Sequence, residues 1–144
     1  MSIQFKPIGI IHTPFTAADQ TPGQGTHDPD SRAVVELFPE FAEGLKDLES
    51  FSHIILLYHF DRAPRAKLLL PDARDKQPRG VFASRHPCRP NAIGFTVARL
   101  LSRAGNRLEI SGVDILDGTS LLDIKPYMKR FDSFPEAGEG WTAI

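Results

Sequence analysis

The chain has 144 residues, about the length of one domain, and 41% hydrophobic with 24% charged residues is an ordinary composition for a globular protein. A single cysteine, Cys88, excludes an intrachain disulfide framework and fits a reducing compartment. The longest nearly apolar run, residues 54–58, is far shorter than the ~20 residues that span a bilayer. We therefore expect one cytoplasmic domain over residues 1–144, without a signal peptide or membrane span.

The charge balance gives no overall basic field for nucleic acid. Seventeen Lys and Arg oppose eighteen Asp and Glu, so the net charge is -1. Arginines do gather between Arg62 and Arg89, and Lys125, Lys129 and Arg130 follow near the end of the chain. Any RNA contact is therefore expected from a local patch.

Short stretches of alternating or β-branched apolar residues recur along the chain and predict strands. Turn signals separate them, among them residues 21–23, 79–80, 104–106 and 117–119, where Gly or Asn tolerates a positive φ. The predicted strands are residues 5–12, 33–37, 53–60, 67–70, 80–84, 94–103, 108–115 and 121–124.

Helical spacing of apolar residues occurs in one stretch, residues 41–51, where Phe41, Leu45 and Leu48 fall on one face. One short helix is expected there. Many short strands with so little helix are typical of a closed antiparallel barrel, because closure gives every edge strand a partner. The sequence therefore predicts an all-β fold, a small antiparallel β-barrel with one short helix.

The last residues, 132–144, contain the only tryptophan, Trp141. They also contain the only match to the dinucleotide pattern G-x-G-x-x-G/A, residues 138–143, which is not followed by the helix that would hold a pyrophosphate. We read that match as coincidental. The segment is expected to be a tail or an arm that packs on a partner subunit.

The first segment with chemical character is residues 85–94, between two predicted strands. Two prolines fix φ and prevent regular pairing, while Arg85, Arg89 and Asn91 supply hydrogen-bond donors. Two interpretations stay open. The segment is either a rigid strand connection with arginines in water, or a loop that binds anions, since guanidinium groups match carboxylate and phosphate.

The second segment is residues 117–127. Asp117 and Gly118 begin a turn, and a short apolar strand then places Asp123 and Lys125 on one face, because strand side chains alternate. A local ion pair between them is compatible with this spacing. A plain turn without chemistry is the alternative for the Asp-Gly step.

The third segment is an apolar strand, residues 52–61, that ends in His59, Phe60 and Asp61 and so could line a pocket. The histidines show no metal-ligand spacing with Cys88, and no metal site is expected. Cys88 is read as a small packed thiol.

Four phrases of the chain together resemble the TsaA-like family of tRNA methyltransferases, known as TrmO. They are residues 7–15, residues 45–60, residues 80–94 with the core Arg89-Pro90-Asn91, and residues 117–127. Their order and spacing also match, and the resemblance covers about nine tenths of the chain. Departures fall at Gly23-Gln24, where many members carry Arg-Gln, and at His86-Pro87-Cys88 and Ala92 in the loop.

The resemblance implies a β-barrel that binds S-adenosylmethionine without a Rossmann sheet. It also implies a homodimer with the cofactor near the subunit contact, and methylation of the exocyclic nitrogen of threonylcarbamoyladenosine beside the tRNA anticodon. Longer bacterial relatives carry a C-terminal domain thought to help hold tRNA. Two alternatives are a barrel methyltransferase of a small metabolite and a non-catalytic module that senses the cofactor.

Site roles follow as hypotheses from the resemblance and from the side chains available. Arg85 and Arg89 would meet anionic groups, Asn91 and the backbone up to Ile93 would orient the cofactor, and Phe60 with Leu121 would flank the adenine. Asp117 and Asp123 would reach the ribose or the ammonium group. The candidate bases are Asp117, Asp123, Tyr127 and His86, and the candidate tRNA contacts are Arg62, Arg65, Lys129 and Arg130.

Overall fold

The computed structural model describes residues 1–17 and 28–143. Within them six strands close into an antiparallel barrel in the order β1-β2-β7-β6-β3-β8, and two further strands form a hairpin, β4 with β5. The predicted turn at residues 21–23 and the Gly23-Gln24 departure lie outside the described residues. The strands are β1 Gly9–His12, β2 Arg32–Leu37, β3 His53–His59, β4 Leu69–Pro71, β5 Pro78–Gly80, β6 Ile93–Ala104, β7 Arg107–Ser111 and β8 Thr119–Pro126.

Alternation along the strands fills the barrel. In β3 the side chains of Ile54, Leu56 and Tyr58 are buried, and those between them are partly exposed. Val35 of β2 and Leu108 of β7 are also fully buried and belong to the same core. Inward residues recur every second position because successive side chains point to opposite faces, so the all-β barrel prediction is confirmed.

The predicted helix over residues 41–51 is right in position but wrong in type and continuity. Two 3-10 helices occupy this connection, Pro39–Leu45 and Leu48–Ser50. Asp47 separates them with φ of 73°, a left-handed conformation that an α-helix cannot continue through. The α-helix of the described chain, α1, is instead Lys129–Asp132, directly after β8.

The predicted strand over residues 80–84 is also wrong. β5 ends at Gly80, opposite Leu69 of β4, and the chain then turns through a 3-10 helix, Val81–Ala83. Val81 is buried, Phe82 is 75% exposed and Ala83 is exposed as well, so the alternation expected of a strand is absent here.

The end of the chain folds back onto this hairpin. Trp141 lies in a 3-10 helix, Gly140–Ala143, and its indole Nε1 donates a hydrogen bond to the carbonyl oxygen of Ala83 over 2.8 Å. Packing of residues 132–144 on a partner subunit stays a prediction. In the part of the chain that the structure describes, no helix is long and apolar enough to cross a membrane.

Candidate functional site

A cavity of about 610 Å³ opens at the barrel end where β3 finishes and β8 begins. Three segments each contribute some of the lining residues: residues 58–64 at the end of β3, residues 84–95 leading into β6, and residues 114–119 at the start of β8. β3 pairs with both β6 and β8, so the register of the barrel brings the three segments together. A concave site that combines apolar walls with a few polar groups is typical of small-molecule binding.

One wall is apolar and aromatic. Ile93 and Phe95 point outward from β6 and remain 43% and 46% exposed, although they are large hydrophobic side chains. The ring of Phe60 meets Tyr58 edge-on, with centroids 5.5 Å apart. Such a wall offers a flat apolar ligand both contact area and ring faces.

Tyr58 forms the floor on the barrel side. Its hydroxyl hydrogen-bonds with Thr96 Oγ1 over 2.7 Å, and its side chain is buried. Burial raises the pKa of Tyr58 to about 12, because the phenolate would lose its hydration. The phenol therefore stays neutral, and its ring contributes to the cavity wall by packing.

Arg89 holds the loop of residues 84–89 in shape. Its Nη1 donates to the carbonyl oxygens of Ser84 and His86, both over 3.0 Å, and its backbone N–H donates to Pro87 over 2.8 Å. The Arg85 guanidinium carbon lies 5.8 Å from the centre of the Phe95 ring, and both arginines line the cavity. The loop is thus both a shaped connection and a cationic wall.

Arg62 closes the opposite side. Its Nε donates to Asp61 over 3.2 Å, and its Nη2 donates to Thr119 Oγ1 over 3.1 Å. The second bond joins the end of β3 to the beginning of β8. Arg62 therefore fixes the cavity rim and adds a third positive charge.

Asp61 and Asp114 place two carboxylates among these arginines. Sequence reasoning missed Asp114, because residues 108–115 were predicted as one strand. β7 ends earlier, at Ser111, and Gly112 follows with φ of 79°. That glycine was the available signal that the chain leaves the sheet before Asp114.

The four candidate bases are not among the residues that line the cavity. Asp117 Oδ1 accepts the backbone N–H of Thr13 over 3.0 Å, so its carboxylate is directed toward β1. Asp123 pairs with Lys125 over 3.1 Å, which confirms the expected ion pair. His86 Nδ1 accepts the backbone N–H of Cys88 over 3.1 Å.

Tyr127 is at the other end of the barrel. Its backbone N–H donates to the carbonyl oxygen of His53, the first residue of β3, whereas the cavity lies at the last residues of that strand. Of the predicted cofactor residues, Phe60, Arg85, Arg89 and Ile93 line the cavity. Leu121 is fully buried in the barrel and Asn91 is exposed beside the loop, so their roles stay predictions.

The candidate tRNA contacts fall into two groups. Arg62 and Arg65 follow the end of β3, while Lys129 and Arg130 belong to α1 beyond the far end of β8. β3 has seven residues, and at about 3.3 Å per residue the two groups are roughly 20 Å apart. One protomer therefore does not unite them, and a shared patch on a dimer stays a prediction.

Among residues 1–17 and 28–143, no cluster of three or more His, Cys, Asp or Glu side chains has the arrangement of a metal site. The polar groups of the cavity are instead arginines, carboxylates and hydroxyls, beside aromatic rings. The fold and this site together define the class of the protein: a small-molecule-binding β-barrel whose cavity suits an amphipathic, zwitterionic ligand.

Comparison with known proteins identifies the family. The model of the tRNA-methyltransferase O N-terminal domain matches residues 10–133. The chain therefore belongs to this TrmO family, which confirms the resemblance found in the sequence.

The relatives extend this result. A probable S-adenosyl-L-methionine-binding protein of Pyrococcus abyssi is 52% identical over 141 residues, which are 98% of this chain and 77% of that protein. The mouse tRNA (adenine(37)-N6)-methyltransferase is 39% identical over 136 residues, which are 89% of this chain and 31% of the mouse protein.

The fold is shared with solved structures. A crystal structure of TrmO from Pseudomonas aeruginosa superimposes with a TM-score of 0.82 at 40% identity, covering 97% of this chain and 62% of that one. The chain thus spans less than two thirds of the solved protein and about a third of the mouse protein.

Proposed function

We propose that this chain is a cytoplasmic S-adenosylmethionine-dependent methyltransferase that acts on the exocyclic nitrogen of threonylcarbamoyladenosine beside the tRNA anticodon. The observation that carries the proposal is the cavity, which combines an aromatic wall with three arginines and two carboxylates. Family membership supports it, as do relatives named for S-adenosylmethionine binding and for tRNA adenine N6 methylation.

The cavity residues fit the cofactor group by group. Phe60, Ile93 and Phe95 offer apolar area for an adenine ring. Asp61 and Asp114 suit an ammonium group, and the arginines suit a carboxylate, because charge-assisted hydrogen bonds form best between opposite charges. When bound, the cofactor supplies an electrophilic methyl group on its sulfonium.

The remaining task of the chain is to align the acceptor and to take its proton. The acceptor nitrogen is conjugated to a carbamoyl group and is a poor nucleophile until its N–H proton leaves. Asp117, Asp123, Tyr127 and His86 remain the candidate bases, and Asp114 joins them because it lines the cavity. The threonyl carboxylate of the substrate is a further candidate base, which the positive rim would hold in place.

The base can be identified by replacing each of these five residues with a side chain that does not accept the proton. Asn replaces each aspartate and His86, and Phe replaces Tyr127. Loss of the right group should lower kcat by about 10²-fold with cofactor affinity nearly unchanged. Asp114→Asn needs a separate binding measurement, since a contact to the ammonium group would raise the Kd instead. If every variant loses activity only in proportion to cofactor binding, catalysis relies on positioning with assistance from the substrate.

The test of the function is methyl transfer from labelled S-adenosylmethionine into tRNA from cells that lack the modification. Labelled nucleoside with the mass of methylated threonylcarbamoyladenosine is the expected product. Cofactor binding without transfer to tRNA, but with transfer to a metabolite extract, would favour the small-metabolite enzyme. Binding without any transfer would favour the sensing module, and absence of binding would overturn the proposal.

Two basic groups are proposed to hold the RNA, Arg62 with Arg65 and Lys129 with Arg130. Their contacts to phosphate should give a log–log salt slope near -0.7 per contact for single-stranded RNA. Arg65→Ala should reduce the slope by about one contact and leave cofactor binding unchanged, because Arg65 is outside the cavity lining. A flat salt response with full activity would point away from RNA.

A homodimer is the proposed assembly. Leu69 of β4 and Phe82 of the turn after β5 are 65% and 75% exposed, and Phe95, which lines the cavity, is 46% exposed. Apolar side chains exposed together favour an interface that covers them. Light scattering should give twice the 16.0 kDa mass of the chain, and a monomer at working concentration would remove this assembly from the proposal.

A further inference from the structure

Trp141 makes contacts that join the end of the chain to the cavity loop. Its indole Nε1 donates to the carbonyl oxygen of Ala83 over 2.8 Å. Ala83 is the last residue of the 3-10 helix Val81–Ala83, and Ser84, the next residue, lines the cavity. Carbonyls at a helix end have no partner within the helix, so this oxygen depends on an outside donor or on water.

Two arginines hold the indole ring in place. The guanidinium carbons of Arg74 and Arg79 lie 5.4 and 5.0 Å from the ring centre. Arg79 is itself tied to Asp75 by an ion pair, and Arg74 Nη1 donates to the carbonyl oxygen of Thr142 over 3.4 Å. The ring is therefore fixed to the β4–β5 hairpin by the stacked cations and to the turn by its N–H group.

Hydrogen bonds of the turn couple the position of Trp141 to the arginines of the cavity wall. Ser84 N–H donates to Val81 over 3.1 Å, and the Ser84 carbonyl accepts Arg89 Nη1 over 3.0 Å. A displacement at Ala83 therefore moves the carbonyl that orients the Arg89 guanidinium. Arg85 lies between them in the chain and follows the same backbone.

We propose that Trp141 is a positioning residue for the cofactor site. It acts through the Ala83 carbonyl to hold the loop of residues 84–89, and with it the guanidinium groups of Arg85 and Arg89, in the geometry that binds an anionic group. This role rests on the proposed function only in naming S-adenosylmethionine as the ligand. The control of the loop by Trp141 does not depend on it.

The test compares Trp141→Phe, Trp141→Ala and the parent chain. Phe keeps an aromatic ring for the two guanidinium groups to contact but has no N–H to donate, whereas Ala removes both. Phe134→Ala is the matched control, because Phe134 belongs to the same end segment and is 72% exposed. Thermal unfolding establishes first that each variant is folded.

Calorimetry with S-adenosylmethionine gives the first readout. We expect the Kd to rise about tenfold for Trp141→Ala and about threefold for Trp141→Phe, with Phe134→Ala unchanged. In turnover assays KM for the cofactor should rise in parallel while kcat changes by less than about twofold, since saturating cofactor restores the loop. Equal losses in Trp141→Ala and Phe134→Ala would overturn the proposal, because they would report a general effect of the end segment.

Amide hydrogen exchange gives a second readout that needs no ligand. The N–H groups of Ser84, Cys88 and Arg89 are hydrogen-bonded within the loop, and their exchange should accelerate in Trp141→Ala while that of Leu56 in β3 does not. Unchanged loop exchange would overturn the positioning role even if cofactor affinity fell. Faster loop exchange in Trp141→Ala, together with a parent chain that binds no S-adenosylmethionine, would keep the role and reject the proposed function.

Discussion

Replacement of Gly94 by Ala is expected to damage both the barrel and the cavity. Gly94 lies in β6 directly opposite Tyr58 of β3. A Cβ atom at position 94 would collide with Cε2 of the Tyr58 ring, and it would lie 2.6 Å from both Cδ2 and Cζ. The ring fills this space because position 94 has no side chain.

The size of the effect follows from what the ring can do. Tyr58 is buried, and moving its ring away from a Cβ at position 94 would break the hydrogen bond between its hydroxyl and Thr96 Oγ1. Overpacking costs typically 1–3 kcal/mol and a lost hydrogen bond about 1 kcal/mol, so we expect about 3 kcal/mol of lost stability. For a domain of this size the melting temperature should fall by about 6–12 °C.

Chemical and thermal unfolding measure the change, and Gly44→Ala is the matched control. A Cβ at Gly44 meets nothing within 4 Å, so that variant should change stability by less than about 1 kcal/mol. Because Tyr58 also lines the cavity, Gly94→Ala should weaken ligand binding at temperatures where it remains folded. If Gly94→Ala melts like Gly44→Ala, the close contact with Tyr58 does not control packing and the reasoning fails.

Three further predictions concern ionisation and the loop. In the Tyr127→Phe variant, Tyr58 is the remaining tyrosine, so the absorbance of its phenolate should rise near pH 12 instead of pH 10. The stability that the raised pKa contributes should be complete below pH 10 and should be lost as pH rises toward about 12. The hydrogen bond from His12 holds the pKa of Glu36 below 4.5. Glu36→Gln should therefore lower the melting temperature at neutral pH. The difference in melting temperature between variant and parent should shrink as pH falls below 4.5, because protonation of Glu36 in the parent removes the stability that the carboxylate contributes. Arg89→Met should raise the Kd for S-adenosylmethionine about tenfold, because methionine cannot donate the hydrogen bonds that Nη1 makes to the carbonyl oxygens of Ser84 and His86. A Kd within twofold of the parent would show that the loop keeps its shape without these bonds.

The sequence by itself determined the class of fold. Residues 33–37 and 53–60 were predicted as strands, and β2 is Arg32–Leu37 while β3 is His53–His59. Period-two patterns are readable because an inward side chain must be apolar wherever one face of a strand is buried. The phrases that resemble TrmO were equally local, and the family match over residues 10–133 confirms them.

Backbone conformation at single residues was not readable in this way. Apolar spacing over residues 41–51 satisfies a helical pattern, but the left-handed φ of Asp47 divides the segment into two 3-10 helices. Spacing reports which side chains share a face and carries no information on one φ angle. Arg103 of β6 donates to the carbonyl oxygen of Leu45 and to Glu49 on either side of Asp47, and apolar spacing contains none of these tertiary contacts.

The composition of the site was decided by strand register. β3 and β8 pair antiparallel, so that Tyr58 is opposite Leu121 while Ile54 is opposite Pro126. This register brings Thr119 to the cavity and carries Tyr127 to the far end of the barrel, although both belong to one phrase of sequence. Asp114 lies between β7 and β8, and it reaches the cavity because the start of β8 meets the end of β3 there. Proximity along the chain does not fix which strand ends meet in a closed barrel.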